Sequence, residues 1–474
     1  MLGTIVTKFK KFREQIFSCF TYRADATMEL IDALSGNTDA LSIVQLSLNP
    51  AFRRGYTSIN SAISNFNADA QQAAKIEQCL IEHCSPITQT RPFRLLVLDC
   101  TAAPRKYAKT LEDKGIVHAP NVIPGNKPIT VGHQYSVVGF LPERATDTPK
   151  IPWMLPLSTR RVATQTNGID VGIEQFNNIL PALSGHLTVS VGDTAYNNRR
   201  FIEGVQAHKD LVHIARLQSN RIIYHKAEPK KLKKTQRRER GHELWYGQEF
   251  NLKDASTHGT PDHTVSVSYP TRKGKNFTAK IESWDDMLMR QKDGISLNEY
   301  PFTTVRITIT DEKDNSAYKR PMWLMVTGNR RNELSLQQIW ESYTQRYDIE
   351  HYFKFGKTRL LMDKFQTPEV THEESWWQIS ALAYAQLYMA CELAGNLPNP
   401  WEKYLPEMKN NHVIKSARQV QKSFAQITTK VGTPASPPIP RGIQLGRALG
   451  EQLTSRKHHP IIFKTHKPQQ LNTS

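Results

Sequence analysis

Apolar residues recur at helical spacing through residues 1–92. Ile16 and Phe17 come first, then Met28, Leu30, Ile31 and Leu34. Tyr56, Ile59, Ala62, Ile63 and Phe66 follow, and Ala73, Ile76, Leu80 and Ile81 close the series. A spacing of three and four predicts amphipathic helices here. The rhythm changes at Arg94. Residues 94–99 form a short apolar run that reads as a buried strand, and residues 131–141 and 153–157 continue as strands. Residues 171–183 repeat as a helix, 187–193 as a strand, 196–208 as a helix and 211–217 as a strand. Residues 93–218 therefore predict an α/β layer arrangement of three strands, helix, strand, helix, strand.

Residues 219–335 break that order. Val265–Tyr269 and Val305–Thr310 alternate apolar and polar positions, and residues 322–327 form another apolar run. This predicts a β-rich insertion. It opens on residues 226–240, where eight cations meet two anions, among them Lys230, Lys231, Lys233, Lys234, Arg237 and Arg238. Such a run is either a solvated loop or an arm that contacts a nucleic-acid backbone. Residues 336–395 return to helix. Trp376 to Ala390 is apolar on most sides and reads as core. Residues 396–474 form a C-terminal helical and tail region, suited to dimerisation or DNA contact. They include a Pro-rich stretch at 431–442 and a basic tail expected to be poorly ordered. In the N-terminal region, Arg53 and Arg54 precede a helix expected from about Thr57. That placement suits a helix binding DNA ends, and a helical packing domain fits the pattern equally.

Charge sharpens this picture. The chain of 474 residues carries a formal net charge of +18 and a pI near 9.6. The excess favours a polyanionic partner, most often nucleic acid. The five cysteines are odd in number and form no Cys-x-x-Cys. Cys79, His83 and Cys84 cluster, but a zinc site needs a fourth ligand that the sequence does not place. Reduced thiols in a cytoplasmic protein are expected. Lys8, Lys10, Lys11, Arg13 and Glu14 interrupt the N-terminal twenty residues, so no signal peptide is read, and no run reaches the length of a membrane span.

The candidate chemistry lies at three places. Asp99 and Asp193 each end an apolar strand. If those strands are neighbours, the carboxylates lie about 5 Å apart, one strand spacing. Two carboxylates so close repel unless a cation lies between them. The third place is the stretch holding Tyr343, Arg346, Glu350 and Lys357, at offsets of three, seven and fourteen from the tyrosine. On one continuous helix these offsets fall within a sector of roughly 60°. Its aromatic and apolar flanks predict a half-buried helix whose charged stripe needs partners. Glu350 would add a third carboxylate, and three such ligands suit two Mg²⁺ ions, with Mn²⁺ able to substitute. Taken singly, Asp99 could begin a turn, Asp193 could cap the next helix, and the stripe could be a solvated face with i,i+4 pairs.

The spacing Tyr-x2-Arg-x3-Glu-x6-Lys at Tyr343, Arg346, Glu350 and Lys357 resembles the signature of one branch of bacterial insertion-sequence transposases. These are DDE enzymes of the cut-and-paste type. The resemblance spans roughly residues 93–395. It implies an RNase H-like core, with a mixed five-stranded sheet and helices, divided between residues 93–218 and 336–395. Residues 219–335 would be the β-rich insertion domain. It further implies Asp99, Asp193 and Glu350 as the metal-binding catalytic triad, and Tyr343, Arg346 and Lys357 as the grip on DNA phosphates. Trp323 would stack on a flipped base as the cut end forms a hairpin, unless it is a buried strand tryptophan. The implied partners are the inverted-repeat ends of the element and target DNA, bound by a homodimer in the cytoplasm or on the nucleoid. No small-molecule cofactor and no membrane are implied. The alternatives are a related RNase H-like DNA nuclease, or a domesticated or inactive relative that only binds DNA.

Overall fold

A computed structural model of the protein describes residues 2–119, 127–144, 151–227, 245–270, 274–290, 299–397, 404, 415–439, 450 and 455–463. The chain opens with helices α1 (Leu2–Ser18), α2 (Ala24–Ser35), α3 (Ile43–Leu46), α4 (Tyr56–Phe66) and α5 (Gln72–Glu82). Strands β1 (Arg94–Pro104), β2 (Gly115–His118), β3 (Ile129–Leu141) and β4 (Leu155–Val162) follow. Then come α6 (Gly168–Ile179), β5 (Thr188–Gly192), α7 (Arg199–Val205) and β6 (Leu211–Arg216). The insertion supplies β7 (Ile222–Lys226), β8 (Tyr246–Asn251), β9 (His263–Pro270), β10 (Asn276–Leu288), β11 (Phe302–Asp311) and β12 (Met322–Thr327). Helices α8 (Leu336–Gln345), α9 (Asp348–Arg359), α10 (Val370–Met389), α11 (Cys391–Asn396) and α12 (Ala417–Val431) complete the described elements. No helix among the described residues is long and apolar enough to cross a membrane.

The chain forms two compact units. The first holds residues 1–85, 100–172 and 348–474; the second holds 86–99 and 173–347.

In the first unit α10 is the central post. Trp376, Trp377, Ile379, Ala383, Ala385 and Leu387 are buried on several of its sides. Burying the larger of these side chains, such as Ile379 and Leu387, contributes about 1.5–3 kcal/mol each. The N-terminal helices share this core. Arg13 of α1 donates two hydrogen bonds to Asp32 of α2, at 2.7 and 2.9 Å, and Gln386 of α10 donates to the same carboxylate at 2.9 Å. Strand β3 pairs antiparallel with β2 through residues 129–132 and with β4 through 134–140, so both neighbours lie along one edge of it. Its other edge faces β1. Tyr135 of β3 stacks on Trp377 at 4.0 Å. Part of the basic tail is tied to this unit, where the sequence suggested disorder. His459 and Ile462 donate backbone hydrogen bonds to the carbonyls of Lys109 and Lys114.

The second unit orders its strands β1-β5-β6-β12-β11-β10-β7-β8, with β9 on β10. β1, β5 and β6 run parallel, and from β12 onward the pairing is antiparallel. The insertion thus continues the sheet directly from β6. Its core packs Trp284, Trp323, Phe250, Met287 and Phe302 together.

Three sequence expectations are modified. The helix expected over 171–183 ends at Ile179 and tightens into a 3₁₀ turn, Leu180–Leu183, that contains Pro181. The helix expected over 196–208 contracts to α7, capped by the Asn198 side chain at Phe201 N–H. The stretch from Tyr343 to Lys357 is not one helix. α8 stops at Gln345 and α9 starts at Asp348. The Arg346 N–H bonds Tyr343 O, three residues back, which tightens the last turn. Asp348 is buried, is bound by Arg144, and opens a new helix with its charge at the N-terminal end. The single 60° face therefore does not form. Tyr343 and Arg346 end one helix, while Glu350 and Lys357 share a face of the next, two turns apart.

Candidate acidic site and its basic neighbours

In the second unit β1 and β5 are parallel neighbours, with Val97 opposite Val191 and Leu98 opposite Gly192. Asp99 and Asp193 are the next residue on each strand, about one strand spacing apart. Asp193 follows the carboxyl end of β5, but β1 does not end at Asp99 as the apolar run suggested: it runs on to Pro104, and Asp99 lies where its pairing with β5 stops. Val97, Val189 and Val191 are fully buried in this pairing, and both faces of β5 are covered.

Asp193 opens the 3₁₀ turn Thr194–Tyr196, and its Oδ1 accepts the Ala195 N–H at 2.8 Å. Gly192 leaves room beside this turn. A Cβ there would lie 3.0 Å from the Tyr196 Cβ and 3.2 Å from the His213 ring. His213 stands opposite Ser190 on β6 and shares a 2.7 Å hydrogen bond with its hydroxyl. Burial pushes the His213 imidazole down to about 3, against a backbone hydrogen bond at Tyr196, so the ring is neutral at physiological pH.

Asp99 faces a cation. Arg346 Nη1 lies 3.3 Å from Asp99 Oδ2. The guanidinium carbon lies 4.8 Å from the Tyr347 ring centre and 5.8 Å from that of Tyr343. Burial pushes the Tyr343 phenol up to about 12, with Arg346 and Arg216 opposing, so it is a neutral hydrogen-bonding group at pH 7.

In the first unit Glu350 sits exposed in the first turn of α9. Lys357 lies two turns further on. Its ammonium donates to Thr101 Oγ1 and to the Ala102 carbonyl, each at 2.7 Å. Burial lowers its pKa, while Asp363 acts in the opposite sense.

Among the described residues, no group of three or more His, Cys, Asp or Glu side chains is arranged to hold a metal ion. The donor chemistry of Asp99 and Asp193 nevertheless fits a hard divalent cation. Both are carboxylates on neighbouring strand positions, and each keeps some exposure.

The other residues singled out from the sequence fall elsewhere. Trp323 is only 2% exposed. Its ring packs against Trp284, Phe250 and His258, with Arg306 over it at 5.8 Å. It is a core side chain in this structure, not an open stacking platform. Arg53 pairs with buried Glu29 at 2.7 Å and bonds the carbonyls of Ala435 and Ser436; Arg54 reaches Glu29 at 3.3 Å. Both cations are thus held by the protein itself. Lys230, Lys231, Lys233, Lys234, Arg237 and Arg238 lie outside the described residues. All five cysteines carry free thiols. The sequence reading passed over Gly192 and the Arg346–Asp99 pair. The first had a signal in the Gly-Asp step at a strand end. The second joins residues far apart in the chain and had none.

No curated protein matches the chain. The sequence pattern of the DDE superfamily endonucleases matches residues 15–291, more than half of the chain. The matched segment contains Asp99 and Asp193 and ends before Glu350. The chain therefore belongs to the DDE superfamily endonucleases.

Proposed function

We propose that this endonuclease is a DNA transposase of the insertion-sequence type. The observation that carries the proposal is the pair Asp99 and Asp193, side by side where the parallel pairing of β1 and β5 ends, in a chain of this family. The strand orders β4-β3-β1 in one unit and β1-β5-β6 in the other support an RNase H-like core. The signature Tyr343, Arg346, Glu350 and Lys357 supports the insertion-sequence branch and the cut-and-paste route.

In this reading Asp99, Asp193 and Glu350 hold divalent metal, Mg²⁺ or Mn²⁺. When bound, the metal supplies charge neutralisation at phosphorus and a more acidic water or hydroxyl. Arg346 and Lys357 bind phosphate oxygens of the transposon end, and the Tyr343 phenol donates a hydrogen bond there. Water adds to phosphorus and a 3′-oxygen leaves. The freed 3′-hydroxyl then adds to phosphorus of the opposite strand, giving a hairpin; water adds to the hairpin phosphorus and frees the 3′-hydroxyl again, which then adds to phosphorus of the target as a target oxygen leaves. Each step exchanges one P–O bond for another. The charge of +18 favours a DNA partner. Cutting two inverted-repeat ends in step calls for a homodimer. A role for residues 1–92 in recognising the ends, and for residues 226–240 in contacting backbone, belongs to the same proposal.

The test is cleavage of a labelled duplex that carries the DNA flanking the gene, with Mg²⁺. Wild type should nick at the end and yield hairpins. Glu350→Ala and Asp193→Asn should bind the duplex and cut at least ~10³-fold more slowly, about 4 kcal/mol in barrier. Linear nicked product without hairpin would leave a plain nuclease. Binding without cutting by wild type, in Mg²⁺ and in Mn²⁺, would leave a DNA-binding relative.

A further inference from the structure

We infer that Cys19 and Cys79 are an oxidation site: hydrogen peroxide joins them in a reversible disulfide that pins α1 to α5. The site lies among the N-terminal helices and does not depend on the acidic pair.

Both cysteines belong to the first unit, where contacts between α1 and α5 form a ladder. The Phe12 ring meets the His83 ring edge-on at 5.0 Å. One step along, Gln15 Oε1 lies 2.8 Å from His83 Nε2. Just past α1, the Thr21 N–H donates to Gln72 Oε1 at 3.0 Å. Positions rise along α1 as their partners fall along α5. Cys19 stands one helical turn after Gln15, and Cys79 one turn before His83, so the ladder sets the two against each other. Cys19 is 8% and Cys79 6% exposed, and both carry free thiols. Their sulfurs are in hydrogen-bond contact: the Cys79 thiol donates to the Cys19 sulfur, and the Cys19 thiol donates to the Gln15 carbonyl at 3.3 Å. A disulfide needs sulfurs about 2.05 Å apart. Sulfurs already in contact reach that by side-chain rotation and a small shift. Cys19 follows the last residue of α1 and is placed to make that shift, because helix ends fray.

The contact also makes the two sulfurs unequal. The hydrogen bond from Cys79 lowers the Cys19 pKa, with Lys75 assisting and with burial and Glu82 opposing. Giving that hydrogen bond raises the Cys79 pKa, and burial raises it further. The thiolate is the nucleophile, so Cys19 reacts first. Its sulfur attacks a peroxide oxygen; an S–O bond forms, the O–O bond breaks, and the departing oxygen takes up a proton and leaves as water. The Cys79 sulfur then attacks the Cys19 sulfur. The S–S bond forms, the S–O bond breaks, and hydroxide leaves with the Cys79 proton as water. Two thiols lose two electrons and two protons, and one peroxide becomes two waters. The crosslink closes a loop that contains α2, α3 and α4, and so restrains the N-terminal helices.

The test treats the reduced full chain with hydrogen peroxide under native conditions. Peptide mapping by mass spectrometry should find Cys19 joined to Cys79, lighter by the two hydrogens lost. Thiol titration of the unfolded product should show two of the five thiols gone, and dithiothreitol should restore them. Cys391 is the internal comparison, since burial pushes its thiol up to about 12. The crosslink should form at least ~10-fold faster than Cys391 is oxidised. In Cys79→Ser the Cys19 sulfenic acid has no thiol to meet and should be captured by dimedone; in Cys19→Ser capture at Cys79 should be at least ~10-fold lower. Oxidised wild type should unfold roughly 3–10 °C above the reduced form, and Cys79→Ser should show no such gain.

Oxidation that pairs other cysteines, or that carries Cys19 to sulfinic acid without the Cys19–Cys79 peptide, overturns the inference. So does oxidation of Cys19 no faster than that of Cys391. Capture at Cys79 and not at Cys19 overturns the assigned order of attack. The mapping uses wild type alone, so a serine variant that fails to fold leaves the decision intact.

Discussion

Glu373 and Asp99 both face arginine, and they do so differently. Glu373, on α10 of the first unit, is 1% exposed. It accepts hydrogen bonds from Arg105 at 2.7 and 3.1 Å and from Tyr135 at 3.1 Å, and it meets His133 Nδ1 at 3.0 Å. His133 Nε2 in turn lies 2.9 Å from the Glu112 carbonyl. Burial would push the Glu373 carboxyl up, but His133 and Arg105 together hold it below the usual range. Asp99, in the second unit, keeps 18% of its side chain exposed and meets Arg346 at a long 3.3 Å. The first arrangement surrounds its charge with short, matched donors, and exchanging any of them would strand a buried ion. The second is partly exposed, meets its arginine at a longer distance and lies where the β1–β5 pairing ends. Enclosed ion clusters such as the first hold a fold together.

The contrast can be broken or sharpened by mutation. The largest effect belongs to the enclosed cluster. Glu373→Ala leaves Arg105 and His133 buried without their counter-charge and should cost about 3–5 kcal/mol in denaturant unfolding. A loss below about 1 kcal/mol would mean the cluster is no more structural than a surface pair.

Next comes His213, the neutral imidazole behind the Asp193 turn. Its value is depressed in the folded state, so the unfolded chain binds the extra proton. Its share of stability is complete above the ordinary 6.5 and is lost as the pH falls from there toward about 3. At roughly 1.4 kcal/mol per pH unit, wild type should lose about 2 kcal/mol between pH 6.5 and 5. The same titration of His213→Asn should lack this component; parallel curves for the two proteins would show that the ring is not buried neutral.

The smallest effects belong to the acidic pair. Asp193→Ala loses the bond to Ala195 N–H and should cost about 1 kcal/mol. Asparagine caps equally well, so Asp193→Asn should change stability by less than about 0.5 kcal/mol. Thermal unfolding of the two variants decides it: a large loss in Asp193→Asn would mean the carboxylate is held for stability.

Much of the frame was legible in the chain. The apolar runs before Asp99 and Asp193 read as strands and are strands, because a buried parallel strand shows as an unbroken apolar stretch. Strand β10, the longest of the insertion, was not legible. Its alternation passes through Lys280 and Glu282 and is then interrupted by a bulge near Asp286, whose φ is +52°, so no single period describes it. The helical period across Tyr343 to Lys357 was real within each half and misleading across the whole. Spacing records which residues could share a face, and it does not record a two-residue break whose cause lies partly in the Arg144 bond to Asp348, two hundred positions apart in the chain.

The sequence by itself determined the basic charge, the apolar strands that lead into Asp99 and Asp193 and most of the element order, because periodicity and composition are local quantities; that β1 runs on past Asp99 to Pro104 it did not show. Tertiary structure alone decided that β1 and β5 are neighbours in register, that Trp323 is core, that Arg53 and Arg54 are occupied by Glu29, and that Arg346 rests on Asp99. Each of these is a contact between distant positions, set by which buried surfaces and charges find one another when the chain closes, and no window along the chain contains both partners.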